Sequence, residues 1–246
     1  MIVKGMSEWD RARAALKHGN NVLLRSDKPA LGKSMLGDWL KAETGLPLYA
    51  LAVAAEAPVQ EYRGWQSIHD ASKFNYGPAV QAYCKNPGVL QLDEFDNIVG
   101  SGDVEMFFRL LADRREFILP NGERVAPASG FRFFATTNAS WDHFSEPLLS
   151  RFPIRVEVTQ PNPAAIAALP ASLRKLACGS NSAAEVDLRQ LFELVRMREQ
   201  GVSDDESLVI VFGERAQQIA DAITIGGEEI NEASNDASID ESSDEL

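Results

Sequence analysis

The chain has 246 residues, 45% of them hydrophobic, with a formal net charge of −12; this is enough apolar material for one full core, or for a core with a small second domain. Its acidity argues against sequence-independent binding of duplex nucleic acid, where Lys and Arg contacts supply the affinity. No run of about 18 uncharged apolar residues occurs, so no membrane span is expected, and Cys84 and Cys178 are too few for a disulfide framework, which suits a reducing compartment.

In chain order, "MIVKGMSEWDRARAALKHG" reads as a helix lead-in rather than a signal peptide, which together with the composition points to a soluble, cytoplasmic protein. Next comes "NNVLLR", whose apolar run Val22-Leu23-Leu24 is short enough for a buried strand. "SMLGDWLKAETG" then places Met35, Leu36, Trp39 and Leu40 at helical spacing, with Gly45 as the expected C-cap.

Between strand and helix lies "SDKPALGKS", residues 26–34. Its close, Gly32-Lys33-Ser34, matches the end of the phosphate-binding pattern G-x-x-x-x-G-K-[ST], in which loop N–H groups and a helix N-terminus bind phosphate oxygens. Lys33 would then reach the terminal phosphates of ATP, and the Ser34 hydroxyl would hold Mg2+. Pro29, Ala30, Leu31 and Gly32 would form the cradle. The pattern departs at Asp27, which stands where glycine usually begins the loop for its positive φ; its side chain is expected to turn to solvent.

About sixty residues on, "GVLQLDEFDNI" has the strand Val89-Leu90-Gln91-Leu92 ending in Asp93-Glu94. At the carboxyl end of a sheet strand these face a ligand crevice, which suits Asp93 for Mg2+ and Glu94 for orienting an attacking water; a plain acidic turn has the same composition. A third strand, Phe131 to Ala135 in "GFRFFATTN", delivers Thr136, Thr137 and Asn138 to the same edge. There the Asn138 amide could position water. In "SEPLLSRFPIRVEV", Arg151 precedes a strand-like segment, and a guanidinium offered to a neighbour's nucleotide would stabilise charge on the transferred phosphoryl group.

Taken in order, "DKPALGKS", "LQLDEFD", "FATTN" and "EPLLSRF" resemble Walker A, Walker B, sensor 1 and the arginine finger of an AAA+ ATPase, and "GFRFFATTN" with "LLSRF" resembles the MoxR branch, including the CbbQ and NorQ type and the dynein-related group of midasin. The resemblance covers about residues 18–225. It implies an α/β fold: a P-loop NTPase parallel sheet with flanking helices over 1–160, a small helical lid over 161–225, and then a tail. Within the lid, "VDLRQLFELVRMREQGVS" lines Leu188, Leu191, Leu194 and Val195 along one helix face, and Arg189 matches sensor 2, an arginine that reaches the nucleotide. The acidic tail 226–246 holds eight of the chain's acids and no base, leaving the body at −4, and reads as disordered.

The resemblance further implies catalytic roles for Glu94, Asn138 and Arg151, a homo-oligomeric hexameric ring with nucleotide between neighbours, and a protein substrate or a von Willebrand A-type partner. Two segments are placed for work on a substrate. One is "YRGWQSIHDASKFNYGPAVQAY", residues 62–83, with Trp65, Phe74 and Tyr76 as exposed candidates. The other is "RREFILPNGERVAPASG", read as a hairpin around Asn121-Gly122. His18, His69 and His143 show no metal-ligand spacing. Three functions stay open on sequence: an ATP-driven ring that remodels a partner protein, a DNA- or RNA-directed motor of McrB-like or viral type using Arg109, Arg114 and Arg115, and a degenerate nucleotide switch or scaffold.

Overall fold

The computed structural model describes residues 5–54, 56–70, 72–178 and 186–224; the expected acidic tail lies outside the described residues. The described residues form two compact units, one within residues 1–29 and 33–159 and the other within residues 30–32 and 160–246.

The first unit begins with α1 (Glu8–Lys17), capped by Ser7, whose hydroxyl accepts from the Asp10 N–H. Strand β1 (Val22–Arg25) follows, then α2 (Met35–Thr44), closed by Gly45 in the left-handed conformation as expected for a C-cap. After these come β2 (Leu48–Ala52), α3 (Val59–Arg63), β3 (Gly64–Gln66), β4 (Phe74–Tyr76), the short turn α4 (Pro78–Val80) and β5 (Val89–Asp93). Next are α5 (Asp103–Ala112), β6 (Phe117–Ile118), β7 (Arg124–Val125), β8 (Arg132–Thr137), α6 (Glu146–Leu149) and β9 (Ile154–Glu157).

Five strands form one all-parallel sheet in the order β2-β5-β8-β1-β9. Strands buried on both faces read as near-continuous apolar runs, and in β1, β5 and β8 Val22, Leu23, Leu24, Val89, Leu90, Leu92, Phe133 and Phe134 are each fully buried, with Gln91 a buried polar residue inside β5. Alternate residues serve opposite faces. Leu23, Leu90, Leu92, Phe133 and Ala135 join the cluster containing Tyr83, Phe95, Phe107, Phe108 and Phe152, while α2 packs on β2 and β5, next to α1. All carboxyl ends of this sheet therefore lie along one edge, where the loops after β1, β5 and β8 meet.

Two small antiparallel ribbons decorate this unit. In the β3–β4 arm, Trp65 is half exposed and Ile68 is 95% exposed at the tip, but Phe74 is buried in the core and Tyr76 is half-buried with its hydroxyl on Glu123. Of the three aromatics expected to be exposed, Trp65 alone is. Glycine packing fixes the root of the arm, since a Cβ on Gly64 would lie 2.2 Å from the Asn75 carbonyl oxygen. In the β6–β7 hairpin, Gly122 donates to the Leu119 carbonyl and Leu119 to that of Glu123, with Gly122 at φ 82. This is a three-residue loop closed by a left-handed glycine rather than the two-residue Asn-Gly turn the dipeptide predicts.

The second unit holds α7 (Pro163–Ala168), α8 (Ala171–Ala177), α9 (Leu188–Glu199) and α10 (Asp204–Phe212), then a helical stretch over 216–224. Asn162 caps α7, and Asp187 with Gln190 forms a capping box on α9. Leu188, Leu191 and Leu194 are buried as their spacing predicts, with Val195 at the half-buried margin. Among the described residues no helix is long and apolar enough to cross a membrane.

Candidate active site

The site of the first unit is built where β1, β5 and β8 end. Strand β1 and the start of α2 bracket the loop, so Lys33 and Ser34 arrive at the helix N-terminus. The Lys33 ammonium donates to Asn138 Oδ1 at 2.5 Å and also to the Ser26 hydroxyl. Ser26 itself is fully buried and donates to the Lys28 carbonyl at 2.6 Å, which braces the first turn of the loop. From β5, Asp93 accepts from Ser34 Oγ at 3.1 Å and from Thr136 Oγ1 at 2.7 Å, both on Oδ1, and from Gln91 Nε2 on Oδ2 at 2.8 Å.

Four side chains singled out by the sequence thus share one edge: Lys33, Ser34, Asp93 and Asn138. Glu94 stands beside them, exposed, with backbone φ 57 and ψ 45. A non-glycine residue in that left-handed region is costly and clusters at functional sites. Asn97 sits below it, its amide on the Val53 carbonyl at 2.7 Å and 3.5 Å from Glu94 Oε2.

Asp27 points away from this edge. Its side chain is 74% exposed and paired with Arg25, which also holds Glu157 and donates to the Ala139 carbonyl at 3.0 Å. The carboxylate that replaces the first loop glycine is therefore neutralised at the surface and does not face Lys33.

Ala30, Leu31 and Gly32 belong with the second unit. Asn162 donates its backbone N–H to the Leu31 carbonyl at 2.8 Å and its side-chain amide to that of Gly32 at 3.1 Å. Ala30 and Gly32 both have positive φ, 55 and 80. A Cβ on Gly32 would lie 2.9 Å from Asn162 Cβ and 3.4 Å from Ala165 Cβ, so only glycine fits. Pro29 precedes this stretch, exposed. Arg189 also lies in the second unit, exposed on the first turn of α9 with its N–H on Asp187.

Arg151 is placed elsewhere. It precedes β9, whose Ile154 pairs with Val22 at the beginning of β1, so it sits at the opposite end of the strands from Lys33. Its Nη2 donates to Asp113 Oδ2 at 3.1 Å, and its Nε lies 3.0 Å from Oδ1 without an aligned bond. The buried Asn21 amide donates to the Arg151 carbonyl at 3.0 Å and to that of Ala112 at 2.7 Å, fixing this corner beside a cavity of about 470 Å³. Arg114 is half-buried over the Phe131 ring, 5.2 Å from its centroid, with burial depressing its pKa; it is not the exposed base a polynucleotide contact requires.

Several partners at this site were not singled out from sequence. Ser26 and Thr136 have ordinary strand-end composition. Arg25 could be found only once Glu157 was known to lie beside it. Gln91 carried a visible signal, an amide inside an otherwise apolar strand.

Sheet order, loop and strand-end residues together define a P-loop NTPase fold. A family model, "ATPase family associated with various cellular activities (AAA)", matches residues 23–160, and the chain belongs to that family. Midasin from Dictyostelium discoideum is 31% identical over 143 residues, a stretch that is 57% of this chain and 2% of midasin. Among solved structures, NtrX from Brucella abortus in complex with ATP superposes with TM-score 0.55 at 15% identity, over 98% of this chain and 63% of that one. A second structure of NtrX from Brucella abortus gives TM-score 0.53 at 18% identity, over 90% and 50%. At these identities the likeness is one of fold, and the chain spans under two thirds of each of these relatives.

Proposed function

We propose that this protein is a MoxR-type AAA+ ATPase that hydrolyses ATP at subunit interfaces of a hexameric ring to remodel a partner protein. The observation that supports it most is the meeting of Lys33, Ser34, Asp93 and Asn138 at one sheet edge. Lys33 neutralises the terminal phosphates, and the loop that Pro29 begins holds the chain of phosphates with the N–H groups of residues 30–34. Arg189 is assigned to the nucleotide from the second unit.

The Ser34 hydroxyl and Asp93 carboxylate are hard oxygen donors 3.1 Å apart, a donor set that suits Mg2+. When bound there, Mg2+ supplies neutralisation of phosphate charge. Glu94, exposed at the strand end, takes the role of orienting the attacking water and accepting its proton, and Asn138, already on the Lys33 ammonium, fixes the water and the terminal phosphate relative to each other.

Arg151, at the far end of the strands, has no route to Lys33 of its own chain. Its role is therefore assigned across an interface, toward a neighbour's ATP, where a guanidinium stabilises developing charge. The protein substrate is supported by the acidity of the chain and by the exposed Trp65 and Ile68 of the β3–β4 arm. Steady-state phosphate release from ATP tests the reading, and stimulation by added protein rather than by polynucleotide tests its substrate class.

A further inference from the structure

We infer that Gln91 is a positioning residue for the divalent ion, acting through Asp93; this rests on the ATPase reading of the site. Strand β5 reads Val-Leu-Gln-Leu-Asp, and Gln91 is 2% exposed in the middle of it. Its Nε2 reaches Asp93 Oδ2 at 2.8 Å, while its Oε1 has no partner among the described residues. A buried acceptor left without a donor costs about 1–3 kcal/mol, and a leucine here would carry no such cost. The amide orientation is nevertheless fixed, because the reverse orientation would set an oxygen against the carboxylate.

The surroundings are built around that orientation. A Cβ on Gly37 would lie 2.1 Å from Gln91 Oε1 and 2.9 Å from Leu48 Cδ1, so the helix that begins at the loop must present glycine where the amide passes. Asp93 and Gln91 are two residues apart on one strand and so share a face, and Thr136 of the adjacent β8 adds its hydroxyl at 2.7 Å. Asp93 is thus held on both oxygens, by Gln91 and by Thr136, before any ion arrives. Outer partners of this kind fix a ligating carboxylate and are typically worth 10–100-fold in metal affinity.

The test is Mn2+ binding to the full chain in the presence of ADP, read from loss of the free-ion paramagnetic resonance signal, beside ADP binding in EDTA and thermal melting. Gln91→Met is similar in length and cannot donate. We expect its Mn2+ affinity to fall about tenfold, with metal-free ADP affinity within about twofold and an unchanged or raised melting temperature, because the orphan acceptor is gone. Gly37→Ala displaces the same amide without touching Asp93 and is expected to weaken Mn2+ similarly, non-additively with Gln91→Met. Thr136→Val should act in the same direction, with Thr136→Ser restoring the wild-type value. Mn2+ affinity within about twofold of wild type in folded Gln91→Met and Gly37→Ala overturns the inference and leaves the ATPase reading standing. A wild type that binds neither ADP nor Mn2+ overturns both.

Discussion

The Lys33 ammonium donates to Asn138 Oδ1 at 2.5 Å, tying the start of α2 to the end of β8 across 105 residues of sequence. The pair places a cation and a polar amide on one edge, and the proposed ATPase site gives them different jobs. Lys33→Ala removes a charge-assisted contact worth about 1.5–3 kcal/mol, so ATP affinity should drop roughly 10- to 100-fold. Asn138→Ala should leave affinity within about threefold and slow turnover on the order of 10²-fold, as loss of an oriented polar group at a reacting centre does. Fluorescent-nucleotide titration and phosphate release separate the two.

Asp27 makes the loop look degenerate, and its geometry argues otherwise. Because the carboxylate lies on Arg25 at the surface, and exposed pairs contribute about 1 kcal/mol or less, Asp27→Gly should change ATP affinity by less than about threefold. Gly32→Ala is the contrasting case. A side chain at φ 80 and 2.9 Å from Asn162 Cβ is expected to cost on the order of 1–3 kcal/mol of stability, visible in a thermal melt together with weakened nucleotide binding.

Arg151 is committed in its own chain to Asp113. If its partner in catalysis is a neighbour's ATP, Arg151→Ala and Glu94→Gln should each be inactive alone, since one lacks the guanidinium and the other the base. Mixed in equal amounts they should regain a measurable fraction of wild-type turnover, because some interfaces combine an intact Glu94 site with an intact Arg151. Mixing that restores nothing, from variants that still co-assemble, would place Arg151 outside the reaction.

The loop end of the β6–β7 hairpin is tied to the body by Glu123, which takes a bond from Lys85 and one from the Tyr76 hydroxyl. The Lys85 bond, then the Tyr76 bond, hold the Glu123 carboxyl below its ordinary value of 4.5. A depressed carboxylate pKa means that the folded state binds fewer protons, so this stabilisation is fully present above about 4.5 and is lost as pH falls through the folded value. Both side chains are about one third exposed, 33% for Lys85 and 32% for Glu123, which screens the pair to about 1 kcal/mol or less. Glu123→Gln should lower the melting temperature at pH 7, and its difference from wild type should narrow progressively as pH falls below about 4.5.

What the sequence disclosed followed from signals that are local. A phosphate loop must lie between a strand and a helix, so Val22–Leu24 and Met35–Leu40 around Gly32-Lys33-Ser34 gave both elements their type, and Gly45 gave the helix its end. Asp93 and Asn138 were legible because each terminates an apolar strand. What was not legible depended on neighbours distant in sequence: Arg25 as the partner of Asp27, Thr136 as a second donor to Asp93, Asp113 as the holder of Arg151. Phe74 and Tyr76 looked like surface aromatics because their segment is polar, yet the β3–β4 pairing turns Phe74 into the core. The hairpin at Asn121-Gly122 was found, but its loop length was not, since Asn-Gly suits a two-residue turn while Gly122 alone takes positive φ.

The most direct test is Mg2+-dependent ATP hydrolysis by the purified protein over a series of protein concentrations, beside Lys33→Ala and Glu94→Gln. The expected result is specific activity that rises cooperatively with concentration and disappears in both variants, as a site completed by a neighbouring subunit requires. ATP turnover that persists in both variants, or a wild type that gives none at any concentration, would contradict the assignment of Lys33, Asp93, Glu94 and Asn138 as an ATPase site.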